Sequence, residues 1–410
     1  MFFLPIIHIF VIQKNLIILQ TTEYLTFAQN PELQKAVNTN LHLQVGDFVL
    51  KFGKFDWVKV AAAQLEAKQK LSKKIPFLSE FPEWIFPPSL AFEQASSWQT
   101  ALYKSQFAKD KLVADVTGGM GIDCFAFAQV AKKVIYVEQN ELLCEIFKHN
   151  ISIANIKNIE IVNANAEDFL QNYDGVLDLI YLDPARRIEG QKVVEIADCE
   201  PDILKLQPIL LKKSKEVLVK LSPMLSLDLP IEIKENCQSI SVINVEKECK
   251  EVVIHLKAAA KSDNVNVIHL PENLAFNFSI NDEKNASCAF SLPKQFLYEP
   301  SPAMLKAGPY KTIANHFNIN KLLPNSHLYT SQILVPHFLG RSFKIKEVIA
   351  FEKKNIKKFD YQKANISVRN FPYKAEELKK MLKIKDGGEI YIFGTTILDG
   401  SLQLIVCEKV

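Results

Sequence analysis

The sequence has 410 residues, and 48% of them are hydrophobic and 23% charged, which is enough apolar material for two or three domains with buried cores. With only 13 Gly and 19 Pro, the composition excludes collagen-like, low-complexity and wholly disordered classes. The formal net charge is +3, and the positive excess is C-terminal, since residues 341–410 carry 15 basic and 9 acidic residues. The seven cysteines are never spaced as C-x-x-C, so they indicate neither a disulfide framework nor a zinc module, and a reducing cytoplasm is the simplest location.

The chain begins with an apolar stretch at residues 2–12. Eleven residues are too few to cross a bilayer. A signal peptide needs a basic residue before its apolar run and a small-residue cleavage site, and this stretch has neither. We therefore interpret it as a non-targeting segment. A signal or anchor, and a start codon assigned upstream of the true one, are the alternatives.

Two regions with different periodicity follow. From Pro31 to about Pro88 apolar residues recur at three- and four-residue spacing, which predicts a small helical region. From Leu112 to about Leu256 short runs rich in Val and Ile alternate with longer amphipathic stretches, which predicts a parallel α/β sheet of the doubly wound type. The runs are LVADV (112–116), KVIYVE (133–138), IEIVNA (159–164), LDLIYLD (177–183), EVLVKLS (216–222), SISVINV (239–245) and EVVIHLK (251–257). The last two lie close together and predict an antiparallel hairpin at the edge of the sheet.

The pattern changes after a polar stretch at residues 258–263, which is either a linker or a turn. Residues 265–340 mix short strands with a helix-like stretch from Pro302 to Asn315. Residues 341–410 predict a strand, a basic linker, a strand at 363–369, a helix at 374–382 and two strands at 389–393 and 401–408. The C-terminal third is therefore predicted to be α+β.

A glycine-rich turn, Asp115-Val-Thr-Gly-Gly-Met-Gly-Ile-Asp123, follows the first predicted strand. Without side chains, Gly118, Gly119 and Gly121 let the backbone turn sharply and bring its N–H groups close to a ligand. On its own such a segment can be an ordinary tight turn. Glu138 favours a binding site, because an acidic residue at the end of the next strand can accept both hydroxyls of an adenosine ribose.

These motifs resemble those of the class I S-adenosylmethionine-dependent methyltransferases rather than a nicotinamide fingerprint, because the strand ends in Asp115 and the glycines come as T-G-G-M-G. The order of the family continues with Glu138, with Asn165-Ala166 after the third strand, and with Asp183-Pro184-Ala185-Arg186 after the fourth. The resemblance implies that S-adenosylmethionine is the cofactor. The residues that it implies for cofactor binding are Asp115, Gly118, Gly119, Gly121, Glu138, Asn165, Ala166 and Asp183. Upstream of the first strand, Lys104 or Ser97 is a candidate ligand for the methionine carboxylate, or part of an ordinary amphipathic helix.

The tetrad Asp183-Pro184-Ala185-Arg186 is the predicted catalytic segment. Asp183 and the carbonyl of Pro184 can accept hydrogen bonds from an exocyclic amine. Nucleic-acid amino-methyltransferases usually carry Asp/Asn-Pro-Pro-aromatic, so the aromatic stack is missing here. Arg186 is predicted either to lie flat against a base or bind a phosphate, or, with Arg187, to form structural ion pairs with nearby acids. The tetrad also resembles that of RNA uracil-C5 methyltransferases, but no cysteine lies between Cys199 and Cys237 to support covalent catalysis.

The C-terminal third extends the resemblance across nearly the whole chain. The stretches EPSPAMLKAGPYKTIANHF (299–317), HLYTS (327–331), FLGRSF (338–343) and ISVRNFPYKAEELKKMLKIKDGG (366–388) are similar to a bacterial methyltransferase family with a ferredoxin-like insert and a C-terminal THUMP-like domain. THUMP domains bind RNA, so this resemblance implies an RNA substrate. The local charge of +5 over residues 341–363 suits a polyanion, or is simply a solvated lysine-rich face. The predicted RNA contacts are Arg187, Lys353, Lys354, Lys357, Lys358 and Arg369.

The sequence thus predicts an α/β fold with four regions: an N-terminal helical region (1–92), a Rossmann-like methyltransferase domain (93–262), a ferredoxin-like α+β domain (263–340) and a THUMP-like RNA-binding domain (341–410). We expect a cytoplasmic enzyme that methylates a base nitrogen of transfer or ribosomal RNA, with no metal and no membrane partner. The alternatives are a methyltransferase that acts on a protein or small molecule, and a non-catalytic RNA-binding factor with a vestigial cofactor site.

Overall fold

The computed structural model describes residues 21–88, 96–186, 196–357 and 359–410. The chain forms two compact units, the first comprising Met1–Lys220 with His255–Ala259 and the second comprising Leu221–Ile254 with Ala260–Val410. The apolar N-terminal stretch lies outside the described residues. Within those residues no helix has the length and apolar character needed to span a membrane.

The described part of the first unit begins at residue 21 with the helices α1 (Thr21–Ala28), α2 (Pro31–Thr39), α3 (Val45–Phe52) and α4 (Val58–Leu71). Helix α2 begins where the sequence supplies both a cap and a starter, because the Asn30 side chain accepts hydrogen bonds from two backbone N–H groups and Pro31 occupies the first turn. The apolar faces of the four helices share one core, which includes Phe48, Trp57 and Leu65. The predicted helical periodicity is confirmed.

The parallel sheet predicted from the alternating pattern is present in the first unit. Its strands run in the order β7-β4-β1-β2-β3, and the described pairings between them are parallel. The order reverses between β1 and β4, and in doubly wound folds ligands bind at the carboxyl ends of the strands beside that reversal. The strands are β1 (Leu112–Asp115), β2 (Lys133–Glu138), β3 (Ile159–Asn163), β4 (Leu177–Leu182) and β7 (Ser214–Leu221), and the short strands β5 (Ala185–Arg186) and β6 (Cys199–Glu200) form a separate antiparallel ribbon.

Within the described ranges, this sheet is accompanied by the helices α5 (Trp98–Ser105), α6 (Ile122–Ala128), α7 (Glu141–Ile153), α8 (Ala166–Asn172) and α9 (Ile203–Lys213). The side-chain amides of two buried residues, one on α4 and one on α7, bind the backbone of an extended segment. Gln64 of α4 both donates to and accepts from the backbone of Phe86, and Asn150 of α7 does the same with Ile85. A side-chain amide has the same donors and acceptors as a backbone amide. These contacts therefore supply hydrogen bonds of the kind that a neighbouring strand would otherwise give to the backbone of the extended segment.

In the second unit, α10 (Ile231–Lys234) precedes β8 (Cys237–Val245), β9 (Glu248–Leu256), β10 (Asn264–Leu270), β11 (Leu274–Ser279) and α11 (Ile280–Asn285). Strands β8 and β9 are neighbours and form the predicted hairpin, but its predicted place at the sheet edge is wrong. After a turn at the polar stretch, β10 pairs with β8 in parallel, with Val265 opposite Ile240, and β11 pairs with β10. Most of β8 is buried, and such a strand needs a partner for its backbone polar groups.

A second sheet of seven strands, in the order β13-β14-β12-β15-β18-β17-β16, completes the second unit. The helix-like stretch from Pro302 is two short helices rather than one, because Gly308 ends the first at a φ of 81° and a proline follows it. The predicted basic linker contains one short helix, α14. The elements are β12 (Phe296–Pro300), α12 (Pro302–Ala307), α13 (Thr312–His316), β13 (Asn320–Lys321), β14 (Tyr329–Ser331), β15 (Gly340–Ala350), α14 (Lys353–Ile356), β16 (Asn365–Arg369), α15 (Ala375–Leu382), β17 (Ile390–Thr396) and β18 (Leu402–Lys409).

Candidate active site

A cavity of about 450 Å³ lies at the carboxyl ends of β1, β2 and β4 in the first unit. This volume falls within the range of roughly 300–1,000 Å³ that is typical of small-molecule sites. The cavity brings together most of the predicted site residues, namely Asp115, Gly118, Gly119, Gly121, Glu138, Asn165, Ala166, Asp183 and Ala185. Pro184 and Arg186 do not line the cavity, although each is next to a lining residue in the chain. The side chain of Arg186 is not among those that the structure describes.

The glycine turn is packed directly against the second strand. The N–H of Gly118 donates to the carbonyl of Val137 at 2.9 Å, and a Cβ at position 118 would lie 2.3 Å from the Tyr136 ring. The Tyr136 hydroxyl in turn donates to the carbonyl of Gly119 at 2.7 Å. Gly121 adopts a φ of 75° just before α6. The sequence therefore needs glycine at 118 for space and at 121 for conformation.

Glu138 is held at the end of β2 by two backbone donors. Its Oε2 accepts from the N–H of Gly119 at 2.9 Å, and its Oε1 accepts from the N–H of Asn140 at 2.8 Å. A carboxylate oxygen has more than one acceptor position, so each oxygen can accept a further hydrogen bond from a ligand. The side chain is thus held in one orientation with acceptor positions left for a ligand.

Asp115 is a buried carboxyl in the cavity wall, 1% exposed. Its Oδ1 accepts from the N–H of Thr117 at 3.0 Å, and its Oδ2 accepts from the thiol of Cys124 at 3.3 Å. Burial raises the pKa of Asp115 to about 7, and the negative charge of Asp123 acts in the same direction. A cation that enters the cavity would favour the ionised form of this carboxyl.

A buried ion pair lies beside Asp115. Lys104 of α5 is 0% exposed, and its Nζ lies 2.9 Å from Oδ1 of Asp123. The Oδ2 of Asp123 accepts from the hydroxyls of Ser96, at 2.7 Å, and Tyr181, at 2.9 Å. Burial alone would raise the pKa of Asp123, but the charges of Lys104 and Lys220 and the Ser96 hydrogen bond outweigh it and hold this pKa below its usual value. Asp123 is therefore an anion in the cavity wall.

Asp183 follows β4 and faces the cavity. Its backbone N–H donates to Oγ1 of Thr117 at 2.6 Å, which joins the start of the tetrad to the glycine turn. Its Oδ2 forms an ion pair with Nζ of Lys220 on β7, and 30% of the Asp183 side chain is exposed. The carboxylate therefore has one oxygen engaged inside the protein and remains accessible from the cavity.

Asn165 lines the cavity but also caps α8. Its Oδ1 accepts from the N–H of Asp168 at 2.7 Å, and its Nδ2 donates to Oδ2 of the same residue at 2.8 Å. The two candidates for a methionine carboxylate are also engaged elsewhere, Lys104 with Asp123 and Ser97 as the cap of α5, where it accepts from the N–H of Thr100. Within the described part of the chain, no cluster of three or more His, Cys, Asp or Glu could hold a metal ion.

Known proteins resemble this chain over nearly its whole length. A Mycobacterium tuberculosis protein described as an "Uncharacterized S-adenosylmethionine-dependent methyltransferase" is 20% identical over 355 residues, 84% of this chain and 94% of that protein. A crystal structure from Porphyromonas gingivalis W83, described as a "putative methyltransferase", is 31% identical, covers 92% of this chain and 97% of its own, and superposes with a TM-score of 0.81. The chain belongs to this family of S-adenosylmethionine-dependent methyltransferases.

Parts of the methyltransferase also match three family models. Residues 102–219 match "Conserved hypothetical protein 95", residues 296–338 match a ferredoxin-like domain and residues 340–409 match a THUMP domain-like model. A Thermotoga maritima protein described as an "Uncharacterized RNA methyltransferase" is 33% identical over 143 residues, which is 33% of each chain. The predicted family and its C-terminal ferredoxin-like and THUMP-like regions are confirmed.

The residues of the methyltransferase cavity fit S-adenosylmethionine. The turn at Gly118 leaves no room for a side chain and so presents bare backbone, and Glu138 has free acceptor positions suited to ribose hydroxyls. Asp115 and Asp183 place two carboxyls in a wall that would face a ligand carrying a sulfonium and an ammonium group. These residues would therefore hold the cofactor by its ribose and by its positive charges.

Those predicted RNA contacts that the structure describes lie in the second unit. Lys353, Lys354 and Lys357 are exposed in and beside α14, and Lys354 pairs with Glu352 at 3.1 Å. Arg369 is not on that basic segment but donates to Oε1 of Glu299, whose other oxygen binds Arg341. Arg187 and Lys358 lie outside the described residues.

Sequence reasoning missed several residues of the site. The sequence could have indicated Lys220, because it is a charged residue in the apolar run EVLVKLS. It contains no such indication for four residues that only the fold brings to the cavity, namely Ser96, Tyr181, Glu200 and Pro201. Asp123 ends the glycine-rich stretch, yet only its pairing with Lys104 marks it as part of the wall.

Proposed function

We propose that this methyltransferase transfers a methyl group to a nitrogen of an RNA base, in transfer or ribosomal RNA. The observation that carries the proposal is the partly exposed carboxylate of Asp183, next to Pro184, at the end of β4 and in the wall of the cofactor cavity. A carboxylate followed by a proline carbonyl offers two neighbouring acceptors, which suits the two hydrogens of an exocyclic amine.

The chemistry asks little of the protein beyond orientation. S-adenosylmethionine, when bound, supplies a methyl group that its positively charged sulfur has already activated. Asp183 Oδ1 and the Pro184 carbonyl would hold the acceptor nitrogen in line with that methyl group. The nitrogen gains the methyl carbon and loses one hydrogen as a proton, and Asp183 Oδ1 or water accepts that proton.

An RNA acceptor is supported by the second unit and by relatives. Residues 340–409 match a THUMP domain-like model, and the Thermotoga maritima relative is described as an RNA methyltransferase. The exposed lysines at 353, 354 and 357 and the two arginines on Glu299 provide positive charge that would attract phosphates. We include Lys358 and Arg187 in the proposed RNA-binding set from the sequence, and we place the reaction in the cytoplasm, where RNA is available.

The test compares methylated nucleosides of transfer and ribosomal RNA, by mass spectrometry, in cells that lack the gene and in their parent. We expect one methylated nucleoside to disappear, to return with the wild-type gene and to stay absent with Asp183→Ala. Asp178→Ala, a change at the opposite end of the same strand, is the matched control and should restore the nucleoside. An unchanged profile, with methyl incorporation that resists ribonuclease and is sensitive to protease, would identify a protein acceptor instead.

A further inference from the structure

Lys220 is a charged residue near the end of the otherwise largely buried strand β7. Leu182 of β4 is the register partner of Val219, so Lys220 lies beside Asp183 where the two parallel strands reach the cavity edge. Its Nζ donates to Oδ2 of Asp183, and only 14% of the lysine side chain is exposed. The pair therefore links two neighbouring strands at the site of the proposed reaction.

The negative charges around Asp183 make its orientation depend on this pairing. Asp115, Asp123 and Asp183 are among the six acidic residues that line the same cavity. Lys220 acts with Lys104 to favour the ionised form of Asp123, so its charge reaches beyond its own partner. Without a nearby cation, the Asp183 carboxylate would be repelled by the other acids and would be free to rotate toward solvent.

We propose that Lys220 is the positioning residue for methyl transfer: by binding Oδ2 of Asp183, it leaves Oδ1 directed at the acceptor nitrogen. This inference rests on the proposed function, in which Asp183 orients an amine. In the reaction the bond from carbon to sulfur breaks, the bond from carbon to nitrogen forms, and the proton lost by nitrogen goes to Asp183 Oδ1 or to water. Lys220 keeps its own proton throughout, and its role is geometric and electrostatic.

The same two strands provide a matched control. At their other end, Lys215 Nζ of β7 lies 2.7 Å from Oδ1 of Asp178 of β4, with 69% of the lysine side chain exposed. This second pair also joins a lysine of β7 to an aspartate of β4, but it lies about five residues, or roughly 16 Å, from the first along the strands. A purely structural role for such cross-strand pairs would make the two lysines similar in effect.

The test measures methyl incorporation from radiolabelled S-adenosylmethionine into total RNA of cells that lack the gene. We expect Lys220→Met to lower kcat by about 10- to 100-fold, because a misplaced orienting group costs about this much. The dissociation constant of S-adenosylmethionine, measured by calorimetry, should change much less than kcat, because Glu138 and Asp115 keep their own contacts in this variant and Lys220 does not line the cavity. Lys220→Arg, which keeps a cation beside Asp183, should recover most of the rate, and Lys215→Met should match the wild type.

A double-mutant cycle shows whether Lys220 acts through Asp183. If it does, Asp183→Asn combined with Lys220→Met should be no slower than Asp183→Asn alone. Multiplied losses in the double variant, or a wild-type kcat in a folded Lys220→Met protein, would overturn the proposal. If Lys220→Met does not fold, Lys220→Gln, which keeps a hydrogen-bond donor without the charge, replaces it in the cycle.

The failure of the RNA proposal is distinguishable from the failure of this one. If the wild type methylates no RNA, the proposed acceptor is wrong, and the same variants are compared on the protein fraction of the same cells. A loss with Lys220→Met that Lys215→Met does not share would then still support the positioning role. Equal rates for both variants on the acceptor that the wild type uses would reject it.

Discussion

Gln64 binds both the N–H and the carbonyl of Phe86, at 2.9 and 2.8 Å, from inside the core of the helical region. Replacing Gln64 by alanine would remove both of these buried hydrogen bonds, while the Phe86 carbonyl would still accept from the Tyr24 hydroxyl at 2.7 Å. We expect the free energy of unfolding to fall by about 1–3 kcal/mol, the cost of a lost buried hydrogen-bond partner. Urea denaturation of the full chain measures this loss.

The control for that prediction is Gln69→Ala on the same helix. Gln69 also donates to backbone carbonyls, those of Leu41 and Leu43, but its side chain is exposed. Water can replace its hydrogen bonds, so we expect a loss below about 1 kcal/mol. Equal losses in the two variants would show that burial does not set the value of the Gln64 contacts.

The affinity for S-adenosylmethionine should rise with pH through the titration of Asp115. Burial first, and then the charge of Asp123, raises the pKa of Asp115 to about 7, so below that pH a cationic ligand must displace a proton in order to face a carboxylate. We expect binding at pH 8 to be about tenfold tighter than at pH 6 by calorimetry. Asp115→Asn should bind more weakly at pH 8 and lose most of this pH dependence; an unchanged dependence would assign it to another group.

Gly118→Ala should weaken cofactor binding without unfolding the protein. The new Cβ would lie 2.3 Å from the Tyr136 ring, so either the turn or the ring must move. We expect at least a tenfold rise in the dissociation constant of S-adenosylmethionine, because the displaced turn lines the cavity that the cofactor would occupy. Gly46→Ala meets nothing within 4 Å and is the control that should bind normally. Normal binding by Gly118→Ala would show that the turn can shift without cost.

RNA binding should depend on the basic segment at α14. Replacing Lys353, Lys354 and Lys357 by glutamine should weaken binding and reduce the slope of log K against log salt by about 2, since each phosphate contact contributes about 0.7–0.9. Filter binding of transfer RNA at several salt concentrations measures both quantities. The matched control replaces the exposed lysines Lys35, Lys54 and Lys73 of the helical region. Equal slopes in the two triple variants would remove the α14 segment from the binding surface.

The order of the site residues along the chain could be predicted from the sequence, but their ion-pair partners could not. The placement of Asp115, Glu138 and Asp183 at one cavity could be predicted because a parallel sheet places strand ends along one edge, and the apolar runs mark where each strand stops. The pairing of Asp183 with Lys220 could not, because the apolar runs do not give the register that sets Leu182 opposite Val219. The edge prediction for the hairpin failed for the same reason: periodicity shows that a strand is buried without showing which strand covers it.

The seven-stranded sheet joins two matched regions of the C-terminal part of the chain. Strand β12 belongs to the ferredoxin-like match and β15 to the THUMP-like match, yet they are hydrogen-bonded neighbours, with Phe296 opposite Lys344 and Pro300 opposite Gly340. Removing either region would expose a long strand edge on the other. The two matched regions therefore share one hydrogen-bonded sheet, and separating them would break the five register pairs between β12 and β15.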